Sequence, residues 1–401
     1  MENFEEEKVI KPKKSKLWVL APILVIFGAL VGALITFIVM EYNFYSGTSN
    51  VYQKMSTLKY ILDKEYLYEY DDEELSDYAA YAMTMALGDK YSAYYPKDEF
   101  LMLSNESNGD FVGIGIVVVA DYEEDKIIIE SVEAGSPAER AGVLAGDVLT
   151  AVDGEKALAS NFADTVYRTR GFHLEGGSVG KSVTISVLRD AETLKFDIVR
   201  EKLHTDSVTS KMQTKDIGYI TISGFKGSDG EHKDTYEEFS EHFKKLEAEG
   251  MKKLIIDVRN NGGGELDSVA KIIDMIVPEG TIMYAQYKDG QKDYLYSDEN
   301  EINIPMAVLV NGNSASAAEL LTGALKDYNK AEVVGTTTYG KGVMQQVFPL
   351  GDGSGLVVTV AKYYTPGGTC VEETGIEPDY VVEQGSNAED LQLLKAIEIL
   401  Q

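Results

Sequence analysis

The sequence predicts a layered α/β protein with a small, mostly β domain inserted ahead of its main core. Three observations predict it. After Arg200, buried-looking strands alternate with amphipathic helices, the pattern of a largely parallel sheet covered by helices. Between 111 and 200 the pattern changes to short β-rich runs separated by turn residues. And 401 residues are enough chain for two or three separate cores.

Composition narrows the function classes. A hydrophobic content of 44% and a charged content of 26% are ordinary for a globular protein. The net charge of −29 argues against nucleic acid as a partner, because phosphates demand a basic face. The single cysteine, Cys370, excludes an internal disulfide and a cysteine-rich zinc site. His173, His204, His232 and His242 are scattered with no HExxH pattern, so no metal site is expected.

Taken in order, residues 1–16 form a polar tail carrying Lys8, Lys11, Lys13, Lys14 and Lys16. Residues 17–40 are then uncharged throughout, long enough to cross a bilayer at about 1.5 Å per residue. A cleaved signal peptide has an apolar region of only about 7–15 residues. A retained signal anchor with a cytoplasmic N-terminus is therefore expected, and everything after Glu41 lies outside the membrane. Residues 45–105 read as short Tyr- and Leu-rich helices that only pack, with breaks at Asp71-Asp72 and at 89–95.

The β-rich region spans 106–200. Its runs at 113–119, 127–129, 148–149 and 183–187 are divided by turns such as Gly146-Asp147 and Asp153-Gly154. Pro137 opens a short helix near its first turn, and 161–170 forms a second. The main core, 201–385, begins with a strand at 217–223. An amphipathic helix follows at 229–250, with Tyr236, Phe239, Phe243 and Leu246 on one face. The run 253–258 reads as a buried parallel strand entering Arg259-Asn-Asn-Gly-Gly-Gly264. A helix at 268–277, a strand at 306–310, a helix at 317–326, a short apolar run at 333–334 and a strand at 356–364 complete the alternation. Residues 386–401 end the chain in a short helix.

Chemistry concentrates between 306 and 346. Ser314 and Ser316 stand at a strand-to-helix junction, where either serves as an N-cap. A helix N-terminus also directs free N–H groups at a developing oxyanion. A serine hydroxyl needs a base before it attacks. Lys341, flanked by Gly340 and Gly342 and followed by Val343-Met344, is the candidate, provided burial removes several units from its ordinary pKa of about 10.4. Gln345, four residues on, can orient that amine by hydrogen bonding without adding charge. The glycines at 262–264 allow backbone N–H groups to face a substrate oxygen. A phosphate cradle is the weaker alternative there, since no Gly-Lys-Ser/Thr follows.

Two resemblances then become specific. The Gly135-Ser-Pro-Ala…Ala141-Gly…Gly146-Asp-Val-Leu…Val152-Asp-Gly string resembles a PDZ domain. It implies that Val112, Gly113, Ile114, Gly115 and Ile116 receive a peptide's C-terminus by carboxylate capture and strand addition. For Gly113 and Gly115 the alternative is a bulge or tight strand entry. Asp257-Val-Arg-Asn-Asn-Gly-Gly-Gly264, Asn313-Ser-Ala-Ser-Ala-Ala-Glu319, Gly340-Lys-Gly-Val-Met-Gln345 and Tyr363-Tyr-Thr-Pro-Gly367…Gly375-Ile-Glu-Pro-Asp379 resemble, in that order, the C-terminal processing peptidases, the tail-specific S41 serine proteases. The resemblance covers nearly everything after the membrane run. It implies a crotonase-like (ClpP/crotonase) α/β protease core and a Ser/Lys endopeptidase with no cofactor and no metal. Carried over by motif, Ser316 is the nucleophile, Lys341 the general base and Gln345 its positioner, with Ala317 and Gly263 N–H groups as the oxyanion hole. It also implies protein or peptide substrates with accessible C-termini, and brings a homodimer into view. The expected protein is thus a membrane-anchored extracytoplasmic endopeptidase; the alternative is a catalytically silent PDZ scaffold on the same fold.

Overall fold

The computed structural model describes residues 36, 50–106, 110–171, 178–228, 230–385 and 389–401. The expected membrane run lies outside these apart from Thr36, and among the described residues no helix is long and apolar enough to cross a membrane. The chain divides into two compact units, residues 1–75 and 76–401. In the first, residues 50–65 form an α-helix. Lys59 and Asp63 pair one turn apart on its surface at 2.5 Å, an exposed pair of small energetic weight.

In the second unit, five strands build the core of the β domain. Their order is Ile116–Asp121, Lys126–Val132, Val148–Val152, Ser182–Arg189 and Glu192–Val199, all antiparallel. Alternating residues turn Ile127, Ile129, Leu149, Ile185 and Val187 into one buried cluster. The short helix Pro137–Ala141 forms as its sequence requires: Ser136 caps Glu139 N–H, Pro137 opens the first turn, and Gly142 closes it at φ 91°. The chain enters and leaves this domain through a two-stranded ribbon, Asp110–Gly113 against Glu201–His204. Arg200, fully buried, donates to the carbonyls of Arg168 and Thr169 and so closes the C-terminus of the helix Phe162–Arg170.

The larger core holds a six-stranded sheet ordered Val208–Met212, Ile217–Ile222, Lys253–Asp257, Met306–Val310, Ala331–Gly335 and Tyr380–Val381. Only its first pair is antiparallel. Met306–Val310 is buried along its whole length, as a central parallel strand covered on both faces must be. Helices Thr235–Ala248, Leu266–Ile276 and Ala317–Asp327 supply Phe239, Ile272, Ile273 and Leu321 to one face. The C-terminal helix Leu391–Leu400 covers the other through Ala396 and Leu400, against Ile255, Ala307 and Leu309. Each fully buried Ile, Leu or Phe side chain among these is worth roughly 1.5–3 kcal/mol.

A second, antiparallel sheet closes the layer of helices from outside the parallel sheet. It pairs Ala93–Tyr95, Gly355–Tyr364, Gly280–Tyr287 and Lys292–Ser297, with Val343–Pro349 also hydrogen-bonded to Gly355–Tyr364. Four of these strands depart from the sequence expectation. Residues 280–297 carry Tyr, Lys and Asp on both faces, so no buried period marks them. Val343–Pro349 is interrupted by Gln345-Gln346. Ala93–Tyr95 lies in a segment read only as a helix break, and it is held by pairing with residues more than 250 positions away.

One buried ion pair makes the β domain acid-sensitive. Both Nε and Nη2 of Arg189 donate to Asp147 at 2.6 Å, and the Asp147 side chain is 1% exposed. Arg189 holds the Asp147 carboxyl below its ordinary range, against the opposing effect of burial. The stabilisation is therefore full above the unfolded carboxyl pKa of about 3.9 and is lost as pH falls through the lowered folded value. Arg189→Gln should cost about 3 kcal/mol at pH 7 in urea unfolding, and the gap from wild type should narrow below about pH 4.

Candidate active site

The site lies at the carboxyl ends of two adjacent parallel strands, Lys253–Asp257 and Met306–Val310, where α/β sheets usually place ligands. Their two exit loops are bound together. Asn311 Oδ1 accepts from Asn260 N–H (3.0 Å), Asn311 Nδ2 donates to Asn260 Oδ1 (2.9 Å), and Ala315 N–H donates to the Asn261 carbonyl (2.9 Å).

This binding separates the two candidate serines. Ser314 is wholly buried, donating to the Val258 carbonyl at 2.8 Å and accepting from Asn311 N–H at 3.0 Å, so it is a structural tie. Ser316 lines a cavity of about 340 Å³ together with Ala317, Lys341 and Gln345. Its backbone sits at φ 54°, ψ −114°, a conformation that L-residues avoid. Strain of this kind, of order 1–3 kcal/mol, survives only where the surroundings fix it, and such places cluster at active sites. The surroundings here are Tyr363, whose hydroxyl donates to the Ser316 carbonyl at 3.0 Å, and Glu319, whose Oε2 accepts from Ser316 N–H at 2.9 Å. Burial raises the Tyr363 phenol well above its ordinary pKa and keeps it a neutral donor.

Glu319 does more than complete the helix start. Its carboxylate is fully buried, and Oε2 also accepts from Lys341 N–H at 2.8 Å. Oε1 accepts from Gly340 N–H at 2.7 Å and Thr338 Oγ1 at 2.6 Å. One carboxylate thus fixes the backbone of both Ser316 and Lys341. The sequence reading assigned Glu319 no role, although a Ser-x-x-Glu spacing at a helix start signals a carboxylate that reaches back to the cap.

The Lys341 amine makes no hydrogen bond or ion pair among the described residues, and lies 4.9 Å from the centre of the Tyr91 ring. Burial pushes its pKa below the ordinary lysine value, opposed by the charges of Glu372, Asp89 and Glu319. Gln345 reaches the same cavity, but its amide donates to Thr359 Oγ1 at 3.3 Å. Ala317, at the first helical position, presents an N–H that has no intrahelical partner.

Gly263 lies directly against the serine. It packs against Ser316 so closely that a Cβ would lie 2.8 Å from that of Ser316. Its N–H, however, donates to Asn261 Oδ1 at 2.8 Å, and it is Gly262 and Gly264 that line the cavity. Gly264, at φ 135°, has no room for a side chain, since a Cβ would meet the Phe225 carbonyl oxygen at 1.9 Å.

In the β domain, a groove of about 520 Å³ runs between the strand Ile116–Asp121 and the helix Phe162–Arg170. Gly113, Ile114, Gly115 and Ile116 line it, as does Phe111; Val112, between Phe111 and Gly113 in the entry ribbon, does not. Phe162, Val166 and Arg170 form the helical wall, which the sequence reading did not assign. Among the described residues, His204, Asp206 and Glu238 could approach one metal ion, with ligand atoms within 4.8 Å of one another. They line neither cavity, and Glu238 Oε2 already accepts three hydrogen bonds from Ser207 and Val208.

Fold and site together define an α/β protein with an inserted peptide-groove domain and a serine–lysine cavity. Comparison with known proteins makes this specific. Residues 216–382 match the model of peptidase family S41, and residues 128–170 match a PDZ domain. A probable CtpA-like serine protease of Staphylococcus aureus (strain N315) is 35% identical over 334 residues, covering 82% of this chain and 64% of that protein. The carboxy-terminal processing protease CtpB of Bacillus subtilis (strain 168) is 34% identical over 348 residues, covering 84% and 70%. Among solved structures, the photosystem II D1 C-terminal processing protease is 28% identical with a TM-score of 0.51, covering 82% of this chain and 86% of its own. The chain belongs to peptidase family S41. It spans about two-thirds or less of the length of the first curated relatives it matches.

Glu319→Gln tests the buried tie. An amide offers one acceptor oxygen and turns its NH2 group toward the other site, so at least one of the three backbone N–H groups loses its partner, while the Thr338 hydroxyl can rotate to accept. At about 1.5–3 kcal/mol for a bond to a charged group, hydrogen exchange at Ser316, Gly340 and Lys341 should speed up roughly ten- to a hundredfold. Unchanged exchange would show that the loops hold themselves.

Proposed function

We propose that this protein is a serine endopeptidase that captures protein C-termini in its PDZ groove and cleaves with a Ser316/Lys341 pair. One observation carries the reading: a serine in strained backbone conformation shares a cavity with a desolvated lysine that forms no ion pair among the described residues. The core is read as crotonase-like, and peptide or protein chains are its substrates.

The reaction follows from these positions. Neutral Lys341 takes the Ser316 hydroxyl proton as Oγ attacks the scissile carbonyl carbon. The oxyanion is met by Ala317 N–H and an N–H of the 262–264 loop, reinforced by the helix N-terminus. As the intermediate collapses, the C–N bond breaks and Lys341 returns the proton to the leaving amine. Water then attacks the acyl-enzyme, giving its proton to Lys341, and Ser316 is released on reprotonation. Gln345 is assigned the positioning of the amine, which requires its amide to turn from Thr359. The 17–40 run is assigned as a retained anchor that places this chemistry on the extracytoplasmic face, the preceding lysines staying inside.

The decisive experiment is cleavage of an unstructured protein with an apolar C-terminus. Wild type should cut it, and Ser316→Ala and Lys341→Ala should both be silent. Equal activity in wild type and Ser316→Ala would overturn the assignment; silence of the wild type as well would favour the scaffold. The wild-type rate should rise with pH through a lysine pKa lying below about 10.4, because only the neutral amine accepts the proton. Removing residues 1–40 should move the protein from the membrane to the soluble fraction without lowering its rate on a soluble substrate.

A further inference from the structure

The segment 89–95 reads in sequence as a helix break, yet it reaches the site. Ala93–Tyr95 pairs with the start of Gly355–Tyr364, placing Tyr94 opposite Leu356. Ser92 Oγ accepts from Thr359 N–H at 3.0 Å, the residue whose hydroxyl holds Gln345. Asp89 Oδ1 accepts from Tyr91 N–H at 3.0 Å. These bonds fix the backbone on both sides of Tyr91, and the ring centre stands 4.9 Å from Lys341 Nζ.

The half-buried Tyr91 ring meets two lysines. The second cation on this ring is Lys90, with Nζ 4.7 Å from its centre. The charged and titratable groups around the Lys341 amine are therefore Glu372, Asp89 and Glu319, which favour its charged form, and Lys90, which disfavours it, with Tyr91 as the neutral cover.

Two effects of the ring oppose each other, and their sizes decide. Its face attracts an ammonium by about 0.5–2 kcal/mol. Excluding water from the amine acts the other way and is worth up to several pKa units, at about 1.36 kcal/mol each. For Lys341 the net direction is downward, with burial the largest cause.

We propose that Tyr91 is a positioning residue for the base: its ring covers the Lys341 amine, keeps water from it and holds it at the cavity. This rests on Lys341 being the base of the proposed reaction. The test is the pH dependence of kcat/KM on an unstructured protein substrate. Tyr91→Phe, which keeps the ring, should leave the acid limb in place and the rate within about twofold. Tyr91→Ala, which admits water, should move the acid limb up by about one pH unit and lower the rate near pH 7 about tenfold. Above the limb the variant should regain most of the wild-type rate, which a merely loosened site would not do. Where Tyr91→Ala fails to fold, Tyr91→Gln keeps the bulk and brings a polar amide to the amine, with the same shift expected. A second readout needs no turnover. In the Ser316→Ala background, the pH midpoint of Lys341 labelling by an amine-reactive reagent should rise when Tyr91 is replaced by Ala or Gln, and not by Phe. A folded Ala or Gln variant whose limb and labelling midpoint coincide with wild type would overturn the proposal. An active Lys341→Ala would instead overturn the assignment of the base.

Discussion

The buried carboxylate of Glu319 is the constraint on which the site depends. It receives hydrogen bonds from Ser316, Lys341, Gly340 and Thr338, and so joins a helix start to a loop more than twenty residues further on. A buried carboxylate without partners would cost several kcal/mol. Four donors offset that cost, and in doing so they leave the two loops little freedom to move apart. The unusual backbone of Ser316 is held by the same group, with Tyr363 gripping the carbonyl from the other side. The strain at Ser316 and the satisfaction of Glu319 are two aspects of one arrangement.

Around that tie the fold places opposite environments close together. The Lys341 backbone is anchored to a carboxylate, while its amine projects into a cavity walled by Phe225, Leu266, Met283 and Met344. Anchoring the backbone by charge and leaving the side chain without an ion pair is how a lysine is positioned and desolvated at once. The PDZ groove lies within the same compact unit, and consecutive residues touch both spaces: Phe225 lines the serine–lysine cavity and Lys226 the groove. Phe225 is also bonded to the glycine loop, its N–H to the Gly263 carbonyl and its carbonyl to Glu265 N–H. A peptide in the groove and a scissile bond in the cavity would thus rest on neighbouring stretches of one chain.

What sequence by itself determined was local. Strand–helix alternation, the helix start at Pro137, and the motifs that carry Ser316, Lys341 and Gln345 depend on residues near one another, and their periodicity or spacing survives without any fold. The motif resemblance already pointed to Ser316 over Ser314; the tertiary structure supplied the physical reason, because the Ser314 hydroxyl donates to the Val258 carbonyl, 56 residues away. Only it turned the Gly263 N–H onto Asn261, since a glycine's backbone direction leaves no trace in its neighbours. And it alone brought Tyr91 over Lys341 and put Glu319 between two loops. Those are contacts between segments distant in sequence, and hydrophobic periodicity records which face of an element is buried, not which partner it will find.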